Sequence, residues 1–207
     1  MFIKSLGLLS EYQEGVFLMG VQNNTSCGWF GSIFSFLSRS KQDWLTSLNN
    51  HHTRCMNCPA DKSQQAAWEQ SFEILQKELK QLVQVKPELE PYTIIFNYEL
   101  PRKRGRRPDV IILGASIFVL EFADSGEIIR ADVDQVNACA RDLENYHAKS
   151  HQNDVVPILV CARTKDVIRR DGDVIILSPD HIADYFNVQT ELEDGSLIDA
   201  NTWIISE

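Results

Sequence analysis

Pro108-Asp109-Val110-Ile111-Ile112-Leu113, the turn Gly114-Ala115-Ser116, and Ile117-Phe118-Val119-Leu120-Glu121-Phe122-Ala123 form the stretch from which the fold of this chain is read. Two runs rich in β-branched and aromatic residues, separated by a short glycine-bearing turn, specify two adjacent antiparallel strands. Asp109 opens the first and Glu121 stands near the end of the second, so pairing through the turn brings both carboxylates to the same end of a sheet. Carboxylates that converge suit a hard cation. Mg²⁺ takes oxygen ligands in near-octahedral geometry, keeps several waters, and serves attack of water on a phosphodiester while offsetting the developing charge. Glu99, closing the preceding apolar run Tyr92 to Leu100, is a candidate to complete the cluster, and the backbone carbonyl of Phe122 is a further candidate ligand.

Outward from this pair of strands the periodicity changes. Upstream, Trp68, Phe72, Leu75, Leu79 and Leu82 recur at steps of three and four and mark one face of a long helix that begins near Ser63 and that Pro87 terminates. Downstream, Val133, Val136, Ala140, Leu143 and His147 place a helix over Ala131 to Ser150, followed by a continuously apolar strand, Val155 to Ala162. Val174 to Leu177 is another short strand, and Ser178-Pro179-Asp180 supplies an N-cap, a first-turn proline and a first-turn acid for a helix reaching Phe186. The predicted order is helix, three strands, helix, strand, strand, helix: an α/β fold with a mixed central sheet flanked by helices. Residues 1–60, which mix short apolar runs with Asn, Ser and Gly clusters, read as a small helical extension, with a helix start at Ser40-Lys41-Gln42-Asp43-Trp44, and residues 61–207 as the principal domain.

With 207 residues and 43% hydrophobic content the chain fills one good core. A net charge of −9 argues against a generally basic coat, but five of the 20 Lys and Arg residues fall in one strip, Arg102, Lys103, Arg104, Arg106 and Arg107, immediately before Asp109. That strip reads either as a phosphate-contacting element or as a solvated loop, and its position favours phosphate contacts. No run approaches the roughly 20 apolar residues of a membrane span, and Met1-Phe2-Ile3-Lys4 does not begin a cleavable leader, so a cytoplasmic protein is expected. Five cysteines, two of them inside apolar periodic segments, favour free thiols in a reducing compartment. His51-His52-Thr53-Arg54-Cys55-Met56-Asn57-Cys58 leaves two readings open, a zinc-binding C-x-x-C with a nearby histidine or an ordinary polar loop.

Pro108-Asp109 followed by Glu121-x-Ala123 resembles the PD-(D/E)XK nuclease signature with its last residue changed. The wider string, Glu99-Leu100-Pro101, the basic run, Arg107-Pro108-Asp109-Val110, Val119-Leu120-Glu121-Phe122, Asp132-x-Asp134-Gln135 and Arg141-Asp142-Leu143-x-Asn145-Tyr146-His147, resembles the N-terminal nuclease-like domain of bacterial schlafen-type helicases. The resemblance covers Ser63 to Glu207. It implies a restriction-endonuclease-like core, Mg²⁺ or Mn²⁺ as cofactor, DNA as substrate with RNA not excluded, a helicase region following in the same polypeptide, and a setting in bacterial antiviral defence or DNA processing. It also implies that position 123 is ordinarily a lysine that orients the attacking water and stabilises the transition state. Alanine does neither, so the chain as written is expected to be catalytically silent. Gln135 matches the glutamine of a Q-x-x-x-Y motif in related nucleases, with Cys139 at the tyrosine position, and stands as an active-site residue or a plain helix-surface amide. Glu69 is a further candidate helical carboxylate. His147 lies on an apolar stripe, which favours a core or interface histidine over a general base. The competing functional class is a non-catalytic module that binds nucleic acid, a partner protein or a second copy of the chain.

Overall fold

The computed structural model describes residues 26–100, 107–190 and 196–206. Along the chain these form β1 (Trp29–Ser32), α1 (Ile33–Leu37), α2 (Lys41–Met56), α3 (Lys62–Val85), β2 (Thr93–Phe96), β3 (Val110–Leu113), β4 (Ile117–Ala123), α4 (Arg130–Tyr146), β5 (Val155–Cys161), β6 (Ile168–Asp171), β7 (Val174–Leu177), α5 (Ile182–Gln189) and α6 (Ala200–Ile204). The expected α/β class holds: the strands make one seven-stranded mixed sheet in the order β1-β2-β3-β4-β5-β7-β6. β1–β2, β2–β3 and β3–β4 pair antiparallel, β4–β5 and β5–β7 are parallel, and β6 returns antiparallel on β7.

Local chemistry sets the helix limits. The Ser40 and Asp61 side chains accept hydrogen bonds from the amides of Asp43 and Gln64 and so cap α2 and α3. Asn57, at φ 56°, ends α2 in the left-handed conformation that asparagine tolerates. α3 buries the predicted stripe of Trp68, Phe72, Leu75, Leu79 and Leu82, and Pro87 opens the short 3₁₀ turn that follows it. The tight β3–β4 turn requires its glycine, because a Cβ at Gly114 would lie 2.2 Å from the Tyr92 ring.

Alternation along the strands divides the interior into two layers. On one side of the sheet, Ile94, Phe96, Val110, Ile112, Phe118 and Leu120 pack with α1, α2, α3 and α5. On the other, Ile95, Ile111, Ile117, Val119, Leu159 and Ile176 pack with α4 and α6. β3 is buried throughout, as its unbroken apolar sequence requires of a strand covered on both faces. His147 is a core residue. Its Nε2 lies 3.0 Å from the Trp203 carbonyl oxygen and its Nδ1 2.8 Å from Ser150 Oγ, and burial pushes its basicity down to about 4.

Residues 26–60 are not the small helical appendage expected from sequence. β1 pairs with β2 from Trp29↔Phe96 to Ser32↔Thr93, and Trp44 on α2 lies 5.0 Å from the Phe72 ring and 4.8 Å from Phe96. Aromatic residues from this segment therefore fill the same layer as the long helix α3. Truncating Trp44 to Ala is expected to lower the stability of the whole domain by about 3–5 kcal/mol, the range for a large aromatic lost from a packed core. Chemical denaturation followed by both tryptophan fluorescence and circular dichroism should show one cooperative transition shifted as a unit; a second, unshifted transition would mean that the segment folds separately.

Candidate active site

Val110 pairs with Leu120 at the last step of the β3–β4 ladder, so Asp109 and Glu121 continue it as opposite residues. Both point to the face that α4 covers. The Phe122 amide donates to Asp109 Oδ2 at 2.9 Å, and the two carboxyl groups lie close enough for each to shift the other's titration. From α4, Gln135 Nε2 donates to Glu121 Oε2 at 3.0 Å and the Cys139 thiol to Oε1 at 3.4 Å. Gln135 and Cys139 stand one helical turn apart and reach the same carboxylate from one helix face. Glu121, at 5% exposure, is enclosed.

Burial shapes the electrostatics of this pair. It raises the Asp109 carboxyl above its ordinary value, against the Phe122 amide and the hydrogen bond to Glu121, which lower it. It raises Glu121 well above the carboxylate range, and the neighbouring Asp109 charge adds to the rise. Among the described residues neither acid has a lysine or arginine partner. Two desolvated carboxyls without a counter-charge hold a proton at pH values where an isolated carboxyl is ionised, or they hold a cation.

The remaining predicted residues divide between this site and others. Gln135 belongs to the site through its bond to Glu121. Ala123 lies on the same face as Glu121, two residues further along β4, and is 6% exposed within the apolar cluster of Val133, Val136 and Cys161. Phe122 reaches the pair through its amide. Glu99 is not beside the pair. Its Oε1 lies 3.5 Å from the Arg107 guanidinium and 3.6 Å from His51 Nε2, and the carboxylate contacts Cys55 directly. The backbone explains the divergence: Asn97, at φ 52°, turns the chain just past β2, and the Glu99 amide bonds to the Ser26 carbonyl, so Glu99 faces α2. Glu69 pairs with Lys41 at 3.6 Å on the opposite layer. Arg107 is turned inward toward Glu99 and Met56, while Arg102, Lys103, Arg104 and Arg106 lie outside the described residues.

One contributor escaped the sequence reading. Cys139 counts there only as a departure from a tyrosine, although its spacing from Gln135 already places it on the same helix face. His51 pairs with Cys55 rather than Cys55 with Cys58, because a four-residue step keeps both side chains on one face of α2, whereas Cys58 follows the left-handed Asn57 that ends the helix. Burial lowers the basicity of His51 to about 4 against the pull of Glu99, and it raises the Cys55 thiol.

No protein-family model, curated protein or solved structure matches this chain.

The raised carboxyls give a stability signature with a definite sign. A carboxyl that binds its proton more tightly in the folded chain contributes stability on the acid side, and that contribution is lost as pH rises from the ordinary carboxyl value, about 4, through the folded value. In the presence of a chelator, Glu121→Gln should therefore melt higher than the parent at neutral pH and flatten the fall in stability as pH rises above the ordinary carboxyl value. Thermal melts across that range provide the measurement. A Glu121→Gln variant that melts below the parent at neutral pH would show that the pair is not charge-strained.

Proposed function

We propose that this domain is a divalent-metal-dependent nuclease module, acting on DNA, in which Asp109 and Glu121 hold Mg²⁺ or Mn²⁺. The observation that carries the reading is the pairing itself: a buried Glu121 and a partly buried Asp109 stand opposite each other at the end of the β3–β4 ladder, on the face that α4 covers, with no cationic side chain bonded to either among the described residues. Their oxygen donors suit a hard cation that keeps part of its water shell. Such an ion would supply the positive charge that a phosphodiester requires as its phosphorus is attacked. The chain's own residues have separable roles. The Phe122 amide fixes the rotamer of Asp109, Gln135 orients Glu121 through one carboxylate oxygen, and Cys139 occupies the other. The basic strip from Arg102 to Arg107 precedes Asp109 directly in the chain, where phosphate contacts would seat a substrate strand.

Ala123 favours a second reading of the same fold. An alanine packed among apolar side chains offers no ammonium to a transition state, so the chain as it stands is silent in cleavage and works as a nucleic-acid-binding or protein-interaction module. A helicase region in the same polypeptide and a role in bacterial antiviral defence or DNA processing extend the nuclease proposal and rest on sequence resemblance alone. No described helix is long and apolar enough to cross a membrane.

Replacing Ala123 with lysine separates the readings. Ala123→Lys in Mg²⁺ or Mn²⁺ is expected to cleave DNA at least about 10²-fold faster than the parent, the usual size of a lost transition-state donor. The same variant should bind Mn²⁺ more weakly in a calorimetric titration, because the ammonium competes with the metal for the carboxyl pair. A variant that cuts neither DNA nor RNA, single- or double-stranded, removes the enzyme reading, and robust metal-dependent cleavage by the parent would show that another residue plays the lysine's part.

A further inference from the structure

α2 and the segment after β2 bring together three side chains that the carboxyl pair does not use. His51 and Cys55 stand four residues apart on α2, one above the other on a single helix face. Glu99 closes on them from the chain just past β2. His51 Nε2 lies 3.6 Å from Cys55 Sγ and 3.6 Å from Glu99 Oε1, and the thiol touches the same carboxylate oxygen. One nitrogen, one sulfur and one oxygen therefore converge within 4.8 Å of one another.

We propose that His51, Cys55 and Glu99 form a second metal site, distinct from Asp109 and Glu121, which takes Zn²⁺ through three protein ligands and leaves a fourth position open to water. Ligand chemistry selects the ion: imidazole and thiolate bind borderline-soft cations, whereas Mg²⁺ and Ca²⁺ prefer oxygen alone. Spacing agrees with a tetrahedron on two of its edges. With Zn–S near 2.3 Å and Zn–N or Zn–O near 2.0–2.1 Å, tetrahedral angles put a sulfur about 3.6 Å from a nitrogen or oxygen, and a nitrogen about 3.3 Å from an oxygen. The His51–Cys55 separation matches the first value and His51–Glu99 is slightly longer than the second. The Cys55–Glu99 edge is the shortest and has to open on binding. Glu99, 41% exposed along its side chain, has room to turn, while His51, 3% exposed, supplies the fixed corner. Arg107, 3.5 Å from Glu99 Oε1, shares this carboxylate, whose lone pairs suffice for both partners. Cys58 is excluded from the ligand set because it follows Asn57 out of the helix, exposed and apart from the three.

The chain is stripped with a chelator and titrated with Zn²⁺ and with Co²⁺ as its spectroscopic substitute. One Zn²⁺ per chain is expected to bind in the presence of excess Mg²⁺, and the Co²⁺ form to show thiolate-to-metal charge-transfer absorption. Cys55→Ser should abolish that absorption, while Cys58→Ser and Asp109→Asn leave it intact; retention in Asp109→Asn keeps this site's fate separate from that of the nuclease reading. Should Cys55→Ser fail to fold by circular dichroism, Glu99→Gln, altered at a partly exposed side chain, is expected to fold and to weaken Co²⁺ binding more than about tenfold. Absence of the charge-transfer band, its survival in a folded Cys55→Ser, its loss in Cys58→Ser, or unchanged Co²⁺ affinity in Glu99→Gln overturns the proposal and leaves His51, Cys55 and Glu99 as a hydrogen-bonded cluster only.

Discussion

Asp109 and Glu121 face each other at the end of the β3–β4 ladder, on the side of the sheet whose apolar layer packs beneath α4 and α6. Removing two carboxyls from water is unfavourable, and the cost falls only when each oxygen finds a donor or the charge is cancelled. The surrounding structure supplies donors: the Phe122 amide for Asp109, Gln135 and Cys139 for Glu121. Every one of those groups depends on a particular register. Slipping β3 against β4 by one residue would turn Asp109 to the opposite layer, among the aromatics of α1 to α3. Rotating α4 by a quarter turn would leave Glu121 without either helix partner. The acid pair thus constrains the strand register and the rotation of α4 together, although the hydrophobic layers provide most of the driving force for both.

Its position also follows from the topology. β4 is the junction of the sheet, antiparallel to β3 on one side and parallel to β5 on the other. The parallel connection requires a crossover, which α4 makes, and the helix then lies across the face that carries Glu121. Nearby, Arg163 grips Asp124 through two contacts of 2.7 Å and ties the chain after β5 to the end of β4. This ion pair is exposed, so its contribution to stability is small.

The sequence was most legible where burial was two-sided or the period was long. β3 and β5 announce themselves as unbroken apolar runs, β4 as one interrupted by Glu121, and α3 and α4 as stripes of helical period, because each exposes its core contacts directly in composition. β6 gives no such signal: Ile168-Arg169-Arg170-Asp171 is exposed throughout and becomes a strand by pairing with β7 beyond the left-handed Gly172. β1, with Gly31 inside its four residues, is specified by its long-range ladder with β2. Asp109 and Glu121 could be placed together because a tight turn fixes which residues oppose each other. Glu99 could not, since its direction depends on the left-handed Asn97 and on a backbone bond to Ser26, far away in the chain. Local patterns encode neither.

Three agents can neutralise a buried carboxyl pair: a proton, a divalent cation, or a neighbouring ammonium. Ala123 offers no ammonium two residues along β4 from Glu121 on the same face, and its methyl group joins the apolar packing with Val133, Val136 and Cys161 instead. The first two remain, and they exclude each other, because a metal needs the oxygens that the proton occupies. Metal affinity and protonation are therefore linked at this site, and acidification weakens binding even while it relieves the charge strain within the pair. A lysine at position 123 would weaken that linkage by favouring the ionised acids, so the same ammonium that competes with the metal for the carboxyls would also keep them deprotonated. Among the described residues the alanine leaves the pair dependent on what it can take from solution, and the gap between its protonated and metal-bound forms is set there by the two acids and their three donors.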